Sequence, residues 1–127
     1  MASWEDVSRL ALALPEAVES DMRGNRAWKV KDKLFVWERP LRKGDLAALG
    51  AAAPEGPILG ARVEHLIAKE ALIADDPEVF FTIPHFEGYS AVLILLEKIS
   101  VEILEEVIIE AWLARAPKRL VDRFNAT

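Results

Sequence analysis

Apolar residues recur with a helical period at the start of the chain: Trp4, Val7, Leu10, Ala11 and Leu14 share one face. Ser3 stands where an N-cap belongs, Glu5 and Asp6 lie at the positive end of the helix dipole, and Pro15 closes the element. From Arg26 the period changes to two. Segments 27–31 and 34–38 flank Asp32-Lys33, which reads as a two-residue hairpin turn. That turn sets Val30 opposite Phe35 and Trp28 opposite Trp37, with all four on one sheet face. Lys29 and Lys31 then share the other face with Leu34 and Val36, and Pro40 ends the second strand.

Beyond the hairpin the pattern predicts a short helical stretch over 46–49, a Gly/Ala/Pro loop over 50–57 and a third strand over 58–63. A helix over 64–74, with Leu66, Ile67, Ala71 and Leu72 apolar, stops at Asp75-Asp76-Pro77. Strands over 79–83 and 91–96 follow, joined by the turn Pro84-His85-Phe86-Glu87-Gly88-Tyr89. Ser100 caps the last long helix, whose stripe is Leu104, Val107, Ile108, Ala111 and Trp112, with Glu102, Glu106 and Glu110 on the wet side. Pro117 breaks it before a basic tail helix over 118–124. Strands gathered between terminal helices predict an α+β fold. It is a two-layer sandwich, an antiparallel sheet with the N- and C-terminal helices packed on one face and the other face open.

The length of 127 residues predicts a single domain over 1–127. There are no cysteines, which removes disulfides, Cys-ligated zinc, iron–sulfur clusters and a Cys nucleophile together, and suits a cytoplasmic protein. The acidic start is unlike a signal peptide, and the apolar run 91–96 is far too short to span a bilayer, so no membrane partner is expected. Charge changes the picture most. The chain carries a formal net charge of −5, yet half of its sixteen Lys and Arg fall within residues 23–43.

Four blocks appear in order: W-E-D-V-S-R-L-A-L-A-L-P-E at 4–16, K-L-F-V-W at 33–37, T-I-P-H-F-E-G-Y at 82–89 and E-A-W-L-A-R-A-P-K-R-L at 110–120. Together they resemble the YjbR/MmcQ family of small bacterial proteins. The resemblance implies a frataxin-like (CyaY-like) sandwich and DNA binding through a "double wing" of hairpins. It brings no catalytic residues to carry over. Tyr89-Ser90 stands where many members have a Trp.

Arg26, Lys29, Lys31, Lys33, Arg39, Arg42 and Lys43, with Arg23 before them, are the candidate phosphate contacts for weak, salt-sensitive DNA binding. The structural alternative is that these lysines protect a sheet edge or face from aggregation while the tryptophans are core. His85, beside Glu87 and Tyr89, is the candidate ligand-binding or acid–base position. No partnered nucleophile, P-loop or dinucleotide fingerprint accompanies it, so the chain is expected not to be an enzyme. His65 lies at no helical ligand spacing from it, so neither a metal nor any other cofactor is expected. The Glu102, Glu106 and Glu110 row, with Glu105 beside it, reads as a solvated helix face. The tail residues Arg115, Lys118, Arg119 and Arg123 enlarge the basic patch only if the tail folds beside the hairpin. A protein-interaction module using the uncovered sheet face is the alternative function, and the chain is expected to be a monomer or homodimer.

Overall fold

Ser3 opens α1 (Trp4–Leu12) with a reciprocal capping box. Its Oγ accepts from the Asp6 amide at 3.3 Å, and the Asp6 carboxylate accepts from the Ser3 amide at 2.9 Å. This arrangement comes from a computed structural model, which describes residues 1–126. After α1 come β1 (Ala17–Met22), β2 (Asn25–Val30), β3 (Lys33–Glu38), α2 (Lys43–Leu49), β4 (Ile58–Arg62) and α3 (Leu66–Asp75). The chain continues through β5 (Phe80–Phe81), β6 (Ala91–Leu95), α4 (Val101–Arg115) and α5 (Lys118–Asn125). The strands form one antiparallel sheet in the order β1-β2-β3-β4-β6-β5. The fold is α+β, as the pattern predicted.

Two features of the meander differ from the sequence reading. The strand β1 was not anticipated. It pairs with β2 through Arg23-Gly24, both at positive φ (55° and 84°), which is the backbone of a type I′ turn. The β2–β3 turn falls one residue earlier than expected, on Lys31 (φ 49°) and Asp32 (φ 65°), so Val30 faces Lys33 and Lys29 faces Leu34. A bulge then leaves Phe35 without a partner and sets Val36, not Trp37, opposite Trp28. Trp37 pairs with Ala27 and leaves the Trp28 face altogether. A one-residue slip had been enough to misplace it.

The helix-side core is otherwise composed as expected. Trp28, Val30 and Phe35 meet Leu10 and Leu14 from the first helix and its exit, and Leu104, Val107, Ile108 and Trp112 from α4. Trp4 stacks on Trp28 with ring centroids 6.4 Å apart, and Trp112 Nε1 donates to the Pro15 carbonyl at 3.1 Å. Burying each of the large side chains contributes about 1.5–3 kcal/mol.

The opposite sheet face is only partly open, against expectation. Ile83 and Phe86 from the 82–90 turn, with Leu41 and Leu49 around α2, cover Trp37, Ile58, Ala91 and Leu93 in a second apolar cluster. Trp37 lies flat over Gly60 of β4: a Cβ there would stand 2.5 Å from Trp37 Cε2. Only the β1–β3 part of that face stays uncovered, with Val18 exposed and Met22, Lys29 and Leu34 half-buried. The 79–83 strand shrinks to the two residues of β5. On α3 the buried position is Lys69, whereas Leu66 and Ile67 face solvent.

Candidate functional site

The basic segment 23–43 does not form one strip. Its cations separate into two groups at opposite ends of the β2–β3 hairpin, roughly 15–20 Å of strand apart. Arg26 belongs to neither, because its guanidinium reaches Glu19 on β1 at 3.1 Å and lies over the Trp28 ring. Serving β1 and the core in this way, it is not a free phosphate contact.

At the tip stand Lys29, Lys31 and Lys33. Lys29 projects to the helix-free side opposite Leu34, half-buried, and Lys33 is exposed beside the turn. Neither has an ion-pair partner among the described residues. Lys31 pairs with Glu16, which Arg119 of α5 also approaches at 3.6 Å. The Lys31 hydrogen bond holds the Glu16 carboxyl below its ordinary range, with Arg119 and Arg123 adding attraction. The basic tail therefore does fold beside the hairpin. Lys31, Arg119 and Arg123 gather around Glu16, Lys33 stands at the same turn beside Asp32, and Asp122 of the tail pairs with Lys118.

At the other end stand Arg23, Arg39, Arg42 and Lys43. Arg39 is buried, its Nη2 3.1 Å from Asp45 Oδ2, its Nη1 on the Pro40 carbonyl and its guanidinium 5.3 Å above the Phe86 ring. It is a structural ion pair. Asp45 also accepts from the Arg42 amide at 2.8 Å. Burial pushes its pKa up, but the Arg42 amide and the Arg39 charge outweigh this and hold it below the ordinary carboxylate value. Arg23, Arg42 and Lys43 are exposed and have no ion pair among the described residues.

Between this end and the 84–89 turn lies an open cleft of about 530 Å³. Its floor includes Leu34 and the edge of Trp37, and its rim carries Arg23, Arg42, His85 and Tyr89. Sequence reasoning had treated the basic segment and the His85 turn as unrelated, and the sheet brings them to one cavity. His85 packs edge-on against Phe86, with ring centroids 5.1 Å apart. It hydrogen-bonds neither Glu87 nor Tyr89. Tyr89 stacks on Phe86 and takes a hydrogen bond at 3.0 Å from Arg62, whose guanidinium covers its ring.

The turn itself is held from behind by Lys69. This buried ammonium donates to the Phe86 carbonyl at 2.7 Å and the Tyr89 carbonyl at 2.9 Å. Burial pushes its pKa below the ordinary lysine value, opposed by the Glu87 charge. Nothing in the sequence marked it, because a lysine on a helix reads as exposed. His65 likewise has a structural task, its Nδ1 capping α3 by accepting from the Ala68 amide at 3.1 Å.

An antiparallel sheet backed by helices on one face, with a cation-rimmed cleft on the other, defines a small α+β protein. The family model YjbR matches residues 12–114, and the chain belongs to the YjbR family. It is 51% identical over 129 residues to uncharacterized protein Mb2600 of Mycobacterium bovis and to uncharacterized protein Rv2570 of Mycobacterium tuberculosis, covering 99% of this chain and 98% of each relative. The crystal structure of Deinococcus radiodurans protein DR2400, with a DUF419 domain, superposes with a TM-score of 0.66 at 17% identity. That superposition covers 89% of this chain and 78% of the other, and shows likeness of fold. No helix among the described residues is long and apolar enough to cross a membrane.

Proposed function

We propose that this YjbR chain is a cytoplasmic nucleic-acid-binding protein that grips phosphates with the tip of the β2–β3 hairpin and the adjoining α5. The observation that carries the reading is where the lysines sit. β1 covers the outer edge of β2, so Lys29 and Lys33 lie on interior strands and protect no exposed edge. Both stand unpaired at the hairpin tip, Lys29 on the helix-free side and Lys33, opposite Val30, on the helix side, where Lys31 and Arg119 of α5 meet at Glu16. Such a cluster suits a phosphate backbone and carries little base selectivity.

The test is oligonucleotide binding across a salt series. About four phosphate contacts give a log–log slope near −3 to −4. K29E/K33E reverses two exposed or half-buried charges with no internal partner, so it should abolish binding and leave the fold intact. Equal affinity of variant and parent at low salt, or no binding by either, overturns the proposal and moves the partner to a protein at the uncovered β1–β3 face.

A further inference from the structure

The cleft between the far end of the hairpin and the 84–89 turn has three kinds of surface in one place. Arg23 and Arg42 reach its rim as exposed cations without internal partners, with His85 beside them. Half-buried Leu34 and Trp37, which is only 4% exposed, supply a narrow apolar floor. Asn25 and Glu38 add an amide and a carboxylate at the same opening, Glu38 being steadied by the Arg26 amide at 3.1 Å. Asp45 does not repel an anion here, because Arg39 neutralises it in a buried pair. The volume of about 530 Å³ lies within the range of small-molecule sites.

We propose that this cleft binds a single nucleotide unit. The phosphate sits between Arg23 and Arg42, the base lies on the Leu34–Trp37 floor, and its polar edge meets Asn25 and Glu38. Simpler ligands leave part of the surface unused. Inorganic phosphate would engage the arginines alone, and an aryl carboxylate the arginines and the floor. A nucleotide matches all three, and Glu38 favours a base edge that carries N–H donors. The unit can be a free nucleoside monophosphate or a residue of a single strand whose other phosphates run toward Lys29 and the hairpin tip. The strand source rests on the nucleic-acid reading above, and the free nucleotide does not.

The experiment is an amide NMR titration of the intact chain with the nucleoside monophosphates of adenine, guanine, cytosine and uracil, with inorganic phosphate and benzoate as controls. Saturable shifts are expected at residues 34, 37, 38, 85 and 89 for at least one nucleotide, exceeding those of both controls. R23E/R42E should weaken that binding by about tenfold or more, since hydrogen bonds to charged groups carry most of it. Lys33→Glu, at a position paired with Val30 on the far side of the sheet from Leu34, should leave it unchanged while weakening oligonucleotide binding. If a single-stranded oligonucleotide shifts the same amides, the strand is the source. Nucleotide binding without oligonucleotide binding keeps this proposal and removes the nucleic-acid one. Equal shifts from phosphate or benzoate, or none at the cleft amides up to about 10 mM nucleotide, overturn it.

Discussion

Replacing Lys69 with Met tests whether a buried ammonium builds the cleft wall. The Lys69 side chain comes from α3 and its Nζ is shared between the Phe86 and Tyr89 carbonyls, at 2.7 and 2.9 Å. Met keeps the length and apolar stem but removes both donors, so two poorly solvated carbonyls lose their partner. Hydrogen bonds from a charged donor contribute about 1.5–3 kcal/mol each, and sparing the ammonium its desolvation offsets part of that, for a net loss of about 2–4 kcal/mol. In a domain of this size that lowers Tm by roughly 6–15 °C. Urea unfolding followed by circular dichroism measures the loss. Hydrogen exchange at the Phe86 and Tyr89 amides shows whether the turn opens first. The pH dependence supplies a second readout. Burial lowers the Lys69 pKa in the folded state from 10.5, so the unfolded chain binds the proton more tightly. Stability from this group therefore rises with pH as the folded-state ammonium titrates, until the unfolded lysine has also lost its proton. Met removes that rise, and the gap between parent and variant should widen toward alkaline pH. A gap under about 0.5 kcal/mol, constant between pH 7 and about 10, would show that the ammonium holds nothing in place.

Two further substitutions probe the cleft's frame. Asp45→Asn leaves the Arg39 guanidinium buried without its counter-charge and should cost about 3–5 kcal/mol in urea unfolding. R39M/D45N should recover much of that loss, and no recovery would mean that Arg39 contributes packing rather than charge. Gly60→Ala drives a methyl into the Trp37 indole at 2.5 Å and should cost about 1–3 kcal/mol or more, with a changed Trp37 environment in near-ultraviolet circular dichroism. An unchanged spectrum and stability would show that Trp37 does not lie over Gly60.

The helix layer was legible because each of its signals is local. Ser3 and Ser100 cap α1 and α4 as their positions suggested, and the Leu104–Trp112 stripe is the buried face of α4. β1 was not legible. Its six residues, AVESDM, hold few apolar side chains because an edge strand on a half-open face buries little, and only Arg23-Gly24 hinted at a turn. The slip at the next turn had a similar origin. Asp32 suits either central position, and the bulge at Phe35 answers to the packing of β3 against β2 and β4 rather than to any residue type. At the candidate site, Pro84–Tyr89 could be read as a turn carrying His85. The burial of Arg39 with Asp45, and of Lys69 beneath that turn, depends on contacts between segments far apart in sequence. No periodicity records such contacts.

The opposition between an acidic chain and a basic hairpin is resolved by where the fold sends its charges. Glu102, Glu105, Glu106 and Glu110 all lie on the exposed side of α4, beyond the core layer and away from the β1–β3 face. Sheet and helix layers are separated by about 10 Å, and at physiological ionic strength the Debye length is about 8 Å, so those acids are largely screened at the hairpin tip. Three acids close to the basic segment are already engaged: Glu19 with Arg26, Glu16 with Lys31 and Arg119, and Asp45 with Arg39. That leaves Asp32 and Glu38 as its own carboxylates without an ion pair among the described residues. A net charge of −5 therefore says little about the field that an approaching phosphate meets. It does bear on strength. A ligand long enough to pass the hairpin and reach α4 meets repulsion, so the arrangement favours a short contact with few phosphates over an extended wrapped complex. That preference is why a salt slope well beyond four contacts would contradict the structure as firmly as no slope at all.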